Sequence, residues 1–197
     1  MRNWKGSDMV KLKALLVIDM QVGLFEGEKP RHDAEGVIQR VNNLAKDVRA
    51  TGGIVIFIQH EDHGYLKRGT HNWEILPALE RMDADLLVGK QACDSFYETE
   101  LADLLEKHGV QQLIVTGCAT DFCVDTTIRS AASKNFEVVV VADGHTTKDK
   151  PHLDAITIIK HHNWMWENLI LPRSKVKVLK AKSVAKGLHR DYKTIEN

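Results

Sequence analysis

Runs such as ALLVI (14–18), IVIFI (54–58) and VVVV (138–141) are apolar at every position, with no polar residue at alternate places. A half-exposed strand alternates, whereas a strand covered on both faces does not, so these runs read as buried parallel strands. On this basis strands are expected at 13–19, 54–59, 86–88, 113–116, 138–141 and 176–179. Between them lie helical patterns. Asp33 can cap a helix through Ala50, with Val37, Val41, Leu44 and Val48 on one stripe and Gly52-Gly53 as its stop. Further helices are expected over 98–108, closed by Gly109, over 121–133, and from Pro151 through His161, His162, Trp164 and Trp166. Strand and helix in alternation imply right-handed crossovers and a three-layer α/β/α sandwich around a mostly parallel six-stranded, Rossmann-like sheet. One domain over 1–197 is expected, with 1–12 as an N-terminal extension and 181–197 as a C-terminal tail.

Charge excludes some classes of function. Lys+Arg and Asp+Glu both count 27, and no basic stripe appears before the last 25 residues, so a nucleic-acid partner has no support. Lys175, Lys177, Lys180, Lys182 and Lys186 alternate with apolar residues, and read as a terminal strand followed by a solvated end rather than a phosphate site. No stretch reaches the roughly 18 apolar residues of a membrane span. Residues 1–13 are too polar for a signal-peptide core. Three cysteines, an odd number, suit a reducing, cytoplasmic setting better than a disulfide framework.

In doubly wound sheets, ligands bind beyond the carboxyl ends of the strands, where the winding direction switches. Asp19, Lys90 and Cys123 each lie at or just past a strand end. Singly, each has a plain explanation: a loop cap, a surface lysine, a buried small hydrophobe. Together on one rim they form a chemical set. Cys123 enters a helix after the turn at Gly117, and a helix start favours a thiolate and offers N–H groups to an oxyanion. A carboxylate can take the thiol proton and later return it to a leaving amine, and an ammonium beside both keeps the carboxylate oriented. This chemistry requires neither metal nor cofactor.

Three blocks then define a resemblance: LLVIDMQ (15–21), Lys90 followed by Ser95-Phe96 and Thr99-Glu100-Leu101, and TGCATDFCVDTTIRSA (116–131). Over residues 14–141 the chain resembles the isochorismatase-like cysteine hydrolases, which include nicotinamidases, N-carbamoylsarcosine amidohydrolase and biuret hydrolase. The resemblance implies Asp19 as general base and acid, Lys90 as its partner, and Cys123 as the nucleophile of a thioester-type acyl-enzyme. It also implies a cis peptide between Cys118 and Ala119, with the N–H groups of Ala119 and Cys123 forming the oxyanion hole. A small amide or ureide is the implied substrate, and a homo-oligomer, dimer or larger, the implied assembly. Isochorismatases proper hydrolyse a vinyl ether and lack the cysteine, so Cys123 points to C–N cleavage. Cys118 is expected as a wall residue and Cys93 as packing near the site.

Walls are expected from loops 22–32, 61–80 and 144–150, and Gln21, Phe25, His60, His71, Trp73 and Phe122 are candidates to touch substrate. Nicotinamidases of this family hold a metal through an Asp-x-His pair, but here Asp62 and His63 are adjacent and in extended chain point apart, so no metal is expected at His60, Asp62, His63 and His71. Lys29 and Arg31 read as solvated loop charges, with pairing to an acidic substrate as the alternative. Trp164 and Trp166 suit core or oligomer contacts. Competing readings are an idle binding or scaffold protein of the same fold, and a zinc protein using Cys118, Cys123 and loop histidines, whose Cys-x4-Cys spacing lacks a paired second half.

Overall fold

The computed structural model describes residues 11–27, 29–172 and 176–193. Its strands are β1 (Leu12–Ile18), β2 (Ile54–His60), β3 (Leu86–Lys90), β4 (Val110–Cys118), β5 (Glu137–Thr146) and β6 (Val176–Leu179). All five neighbouring pairs are parallel, in the order β3-β2-β1-β4-β5-β6. The chain therefore winds outward from β1 through β2 to β3, then returns to the other side of β1 for β4, β5 and β6. That reversal makes the carboxyl ends of β1 and β4 the switch point of the sheet.

The helices are α1 (Val22–Phe25), α2 (Ala34–Ala50), α3 (Leu101–Lys107), α4 (Asp125–Ser133), α5 (Ala155–Glu167) and α6 (Ala181–Lys193). The two-residue period of a strand sends successive side chains of β1 into different layers. Ala14, Leu16 and Ile18 join Leu101, Leu105, Ile128 and Trp166 of α3, α4 and α5. Leu15 and Val17 join Val37, Val41, Leu44 and Val48 of α2, together with Val184 and Leu188 of α6. Both faces of the sheet are covered, which is why its strands carry no polar alternation.

Several expectations shift. Residues 181–193 are not a solvated end: Ala181, Val184 and Leu188 recur at helical spacing and bury against α2 and β5, while Lys182 and Lys186 occupy the outer face. The rest of that segment, 194–197, lies outside the described residues, as does most of the extension, 1–10. The helix expected from 98 begins at Leu101, because Glu98 has a left-handed φ of 53°. The helix expected from Pro151 begins at Ala155, where Asp154 accepts from Thr157 N at 2.7 Å as its cap. Asp33 precedes α2 but does not cap it; its carboxylate pairs with Arg40 instead. Trp166 is buried in the core, whereas Trp164 is exposed.

Candidate active site

Strand register sets a row of side chains along the carboxyl edge of the sheet. Lys90 closes β3 opposite His60 at the end of β2, and Ile18 of β1 stands opposite Ile58 on one side and Gly117 of β4 on the other. Gly117 has φ 121°, and a Cβ there would lie 2.1 Å from Ile18 O, so only glycine lets β4 pass β1 this closely. Next comes the cis peptide between Cys118 and Ala119, then a π-helical turn over Thr120–Val124 that carries Cys123. Asp19 sits one residue beyond β1 with a left-handed φ of 49°, held by Asp19 N to Ile58 O and Gln21 N to Asp19 O, both 2.9 Å.

Asp19, Lys90 and Cys123 meet at this edge. Lys90 Nζ donates to Asp19 Oδ2 at 2.7 Å and to Ala92 O at 3.0 Å. Its third proton is shared between Cys123 Sγ and His60 Nδ1, each at 3.3 Å. The Lys90 and Asp19 side chains are only 0% and 2% exposed. Burial alone would depress the ammonium, but the Asp19 carboxylate and the Cys123 sulfur outweigh it and raise the Lys90 pKa. Burial, and then the Lys90 ammonium, lower that of His60 against the opposing pull of Asp19, so the ring is a neutral acceptor for Lys90 near pH 7.

The Cys123 thiol is raised, chiefly by burial and next by the Asp19 carboxylate, with Lys90 opposing. This reverses the expectation of a helix start that favours thiolate: a π-turn beside a buried carboxylate does not compensate lost solvent. Among the described residues, Asp19 Oδ1 is buried without an aligned hydrogen bond, although the thiol lies against the same carboxylate. The resting arrangement thus sets the Cys123 thiol and the Lys90 ammonium against one buried Asp19 side chain. Cys118, fully buried, donates to Asp19 O at 3.1 Å, and burial pushes its thiol up to about 12.

A cavity of about 270 Å³ opens on these groups, lined by Asp19, Leu24, Arg31, His60, Leu66, Cys93, Ala119, Phe122, Cys123, Lys148 and Lys150. Each of the three loops expected to form walls contributes a residue. His60 and Phe122 face the cavity, but Gln21, Phe25, His71 and Trp73 do not line it. Gln21 instead clamps the backbone: Nε2 donates to His60 O and Trp73 O, and Oε1 accepts from His60 N, all at 2.9 Å. Lys29 is exposed, as a solvated loop charge should be, but Arg31 is 9% exposed.

The residues around 60–71 do not fit a metal. The His60 ring faces an ammonium, Asp62 accepts from the N–H groups of Gly64 and Leu66, and His71 stands near Glu26 and Glu74. Among the described residues, no three His, Cys, Asp or Glu side chains are grouped to hold an ion. No described helix is long and apolar enough to cross a membrane.

A support that the motifs did not announce lies behind the cysteine turn. Asn163 Nδ2 donates to Ala142 O at 3.0 Å, which turns its Oδ1 toward His145 Nε2, also at 3.0 Å. His145 Nδ1 then accepts from Thr120 Oγ1 at 2.9 Å, a tautomer assigned from this network. Burial lowers the His145 pKa to about 4, so the ring is neutral at pH 7. The signal was a histidine near the end of an apolar strand, one of ten in the chain and easily passed over.

The chain is similar to known proteins over most of its length. Residues 13–164 match the family model for the isochorismatase domain. Streptothricin hydrolase of Streptomyces noursei is 32% identical over 148 residues, 74% of this chain and 59% of the hydrolase, so the chain spans less than two thirds of that relative. Nicotinamidase 3 of Arabidopsis thaliana is 32% identical over 153 residues, 70% of this chain and 74% of the relative. A crystal structure of an isochorismatase family protein matches with a TM-score of 0.79 at 32% identity, covering 85% of this chain and 99% of that one.

Proposed function

The chain belongs to the isochorismatase family, and from that premise we propose that it is a cysteine hydrolase cleaving a C–N bond of a small amide or ureide through a covalent acyl-enzyme. Cys123 Sγ attacks the carbonyl carbon while its proton passes to the vacant Asp19 Oδ1. Because the thiol is raised rather than ionised, this transfer accompanies attack, with Asp19 acting as general base. The backbone N–H groups of Ala119 and Cys123 receive the oxyanion. Collapse of the tetrahedral intermediate breaks the C–N bond, and Asp19 returns the proton to the departing nitrogen as ammonia or amine. Water, deprotonated by Asp19, then attacks the thioester; the acid leaves and the Cys123 thiol is restored. Lys90 stays protonated throughout and keeps Asp19 aimed through its bond to Oδ2.

The observation that carries this reading is the Lys90 ammonium, 2.7 Å from Asp19 Oδ2 and 3.3 Å from Cys123 Sγ, beside an unbonded Asp19 Oδ1. The names of the two relatives, a streptothricin hydrolase and a nicotinamidase, are in keeping with hydrolysis of C–N bonds. The cysteine disfavours vinyl-ether hydrolysis, which has no use for a nucleophile at this position. Ammonia release across a panel of primary amides and ureides tests the proposal. Cys123→Ala is expected to lower turnover by about 10^4-fold. Activity that survives in Cys123→Ala, or a panel with no release above that background, contradicts it.

A further inference from the structure

Two loops of the site are tied together by their backbones. His32 N donates to Thr147 O at 3.0 Å, and Thr146 Oγ1 donates to His32 O at 2.6 Å. Their chain neighbours, Arg31 and Lys148, both line the cavity, and the two cations are close enough to act on each other. Arg31 is held by one edge: Nε donates to Leu24 O at 2.6 Å, and the guanidinium carbon lies 5.2 Å from the Phe25 ring centroid. Its outer N–H groups have no hydrogen-bond partner among the described residues. Lys148 likewise has neither a hydrogen bond nor an ion pair there, and its ammonium reaches back to the turn at Gly27, where a Cβ would lie 3.9 Å from Nζ.

The charges at the cavity do not balance. Asp19 is matched by Lys90, and Lys150 is matched by Asp121 at 3.1 Å and lies over the Phe122 ring at 5.0 Å. Among the described residues, Arg31 and Lys148 have no such counterpart. Burial, and then the neighbouring guanidinium, lower the Lys148 pKa, as expected where two cations face one space. An arginine kept nine-tenths buried with its fork open, beside an ammonium with no ion pair among the described residues, is a carboxylate receptor in its geometry. On the reading that Cys123 attacks a carbonyl in this cavity, we infer that the substrate carries a carboxylate on the side remote from the scissile bond, received by Arg31 and Lys148. The cavity volume of about 270 Å³ restricts such a substrate to a compact ω-carboxy amide or ureide.

Calorimetric titration of the Cys123→Ala protein with three primary amides of similar length separates this inference from the hydrolase reading. Succinamate is expected to bind at least about tenfold more tightly than pentanamide at low salt, and 4-aminobutanamide most weakly. Lys148→Met in the same background should remove most of that advantage. Arg31→Lys, which keeps charge but loses the fork, should remove part of it. Lys148 has no partner to lose among the described residues, so its variant serves even if the Arg31 variant does not fold. Equal binding of the three amides, no binding of any, or a preference untouched by both substitutions overturns the carboxylate site. Ammonia release by the native protein is read in parallel. Equal release from all three amides overturns the carboxylate site and leaves the hydrolase; selective succinamate binding without release supports the site and ends the hydrolase reading.

Discussion

Strand β1 has a lysine–aspartate pair near each end, and each closes to 2.7 Å. Near its start Lys13 meets Asp191 of α6, with side chains 11% and 39% exposed; just beyond its end Asp19 meets Lys90 of β3, with side chains 2% and 0% exposed. Distance does not distinguish them, but environment does. The outer pair is hydrated and screened, and such pairs contribute about 0–1 kcal/mol. The inner pair gives up hydration costing several kcal/mol per ion, offset by their attraction and by Lys90 donating to Ala92 O. What the inner pair yields is an Asp19 side chain fixed out of water by Lys90, with no hydrogen bond to Oδ1 among the described residues and the Cys123 thiol against the same group. Stability alone does not call for that arrangement; proton transfer to and from Cys123 does.

The difference can be broken from the inner side first. Lys90→Met strands Asp19 in the interior, so urea unfolding should show a loss of about 3–5 kcal/mol, and turnover should fall by about 10^3-fold or more. Adding Asp19→Leu should restore most of the stability and none of the turnover. Recovery of both together would show that the pair is structural only.

The second largest effect concerns the same edge of the sheet, where His145 is buried with Thr120 and Asn163 as its hydrogen-bond partners. Its folded pKa, about 4, lies below the ordinary value of 6.5. Between those values the unfolded chain binds the extra proton, so the contribution is complete above pH 6.5 and is lost as pH falls toward 4. Denaturant titrations should show a loss of about 2 kcal/mol from this residue by pH 5. His145→Gln should flatten that part of the profile, and an unchanged profile would mean that His145 protonates without cost.

The smallest effect belongs to the outer pair. Lys13→Met or Asp191→Asn should cost less than about 1 kcal/mol, lower Tm by about 2–4 °C at most, and leave turnover unaltered. Added salt should shrink even that. A cost comparable with Lys90→Met would erase the distinction between the two ends.

Much of this was legible in residue order. Continuous apolar runs identify strands buried on both faces, and Asp19, Lys90 and Cys123 stand where such strands end. What residue order did not convey was whether a charged side chain is compensated. Arg31 and Lys29 look alike in a polar loop, yet one is buried and the other exposed. Gln21 looked like a ligand contact and is a backbone clamp, because its partners lie 39 and 52 residues away. The thiol shift was misjudged for the same reason: a helix start is a local feature, whereas burial and the facing carboxylate come from the tertiary fold. For α6 the signal was present, but its lysines drew attention from the spacing of Ala181, Val184 and Leu188.

Cys93 and Cys123 are both half-buried and line one cavity, which supplies an internal control for the role given to the sulfur beside Asp19. Alkylation by iodoacetamide, itself a primary amide, followed by peptide mapping, should modify Cys123 at least about tenfold faster than Cys93. Asp19→Asn should abolish the difference by removing the base. Equal rates at the two thiols, or a Cys123 rate indifferent to Asp19→Asn, would contradict an acid–base pair acting on Cys123.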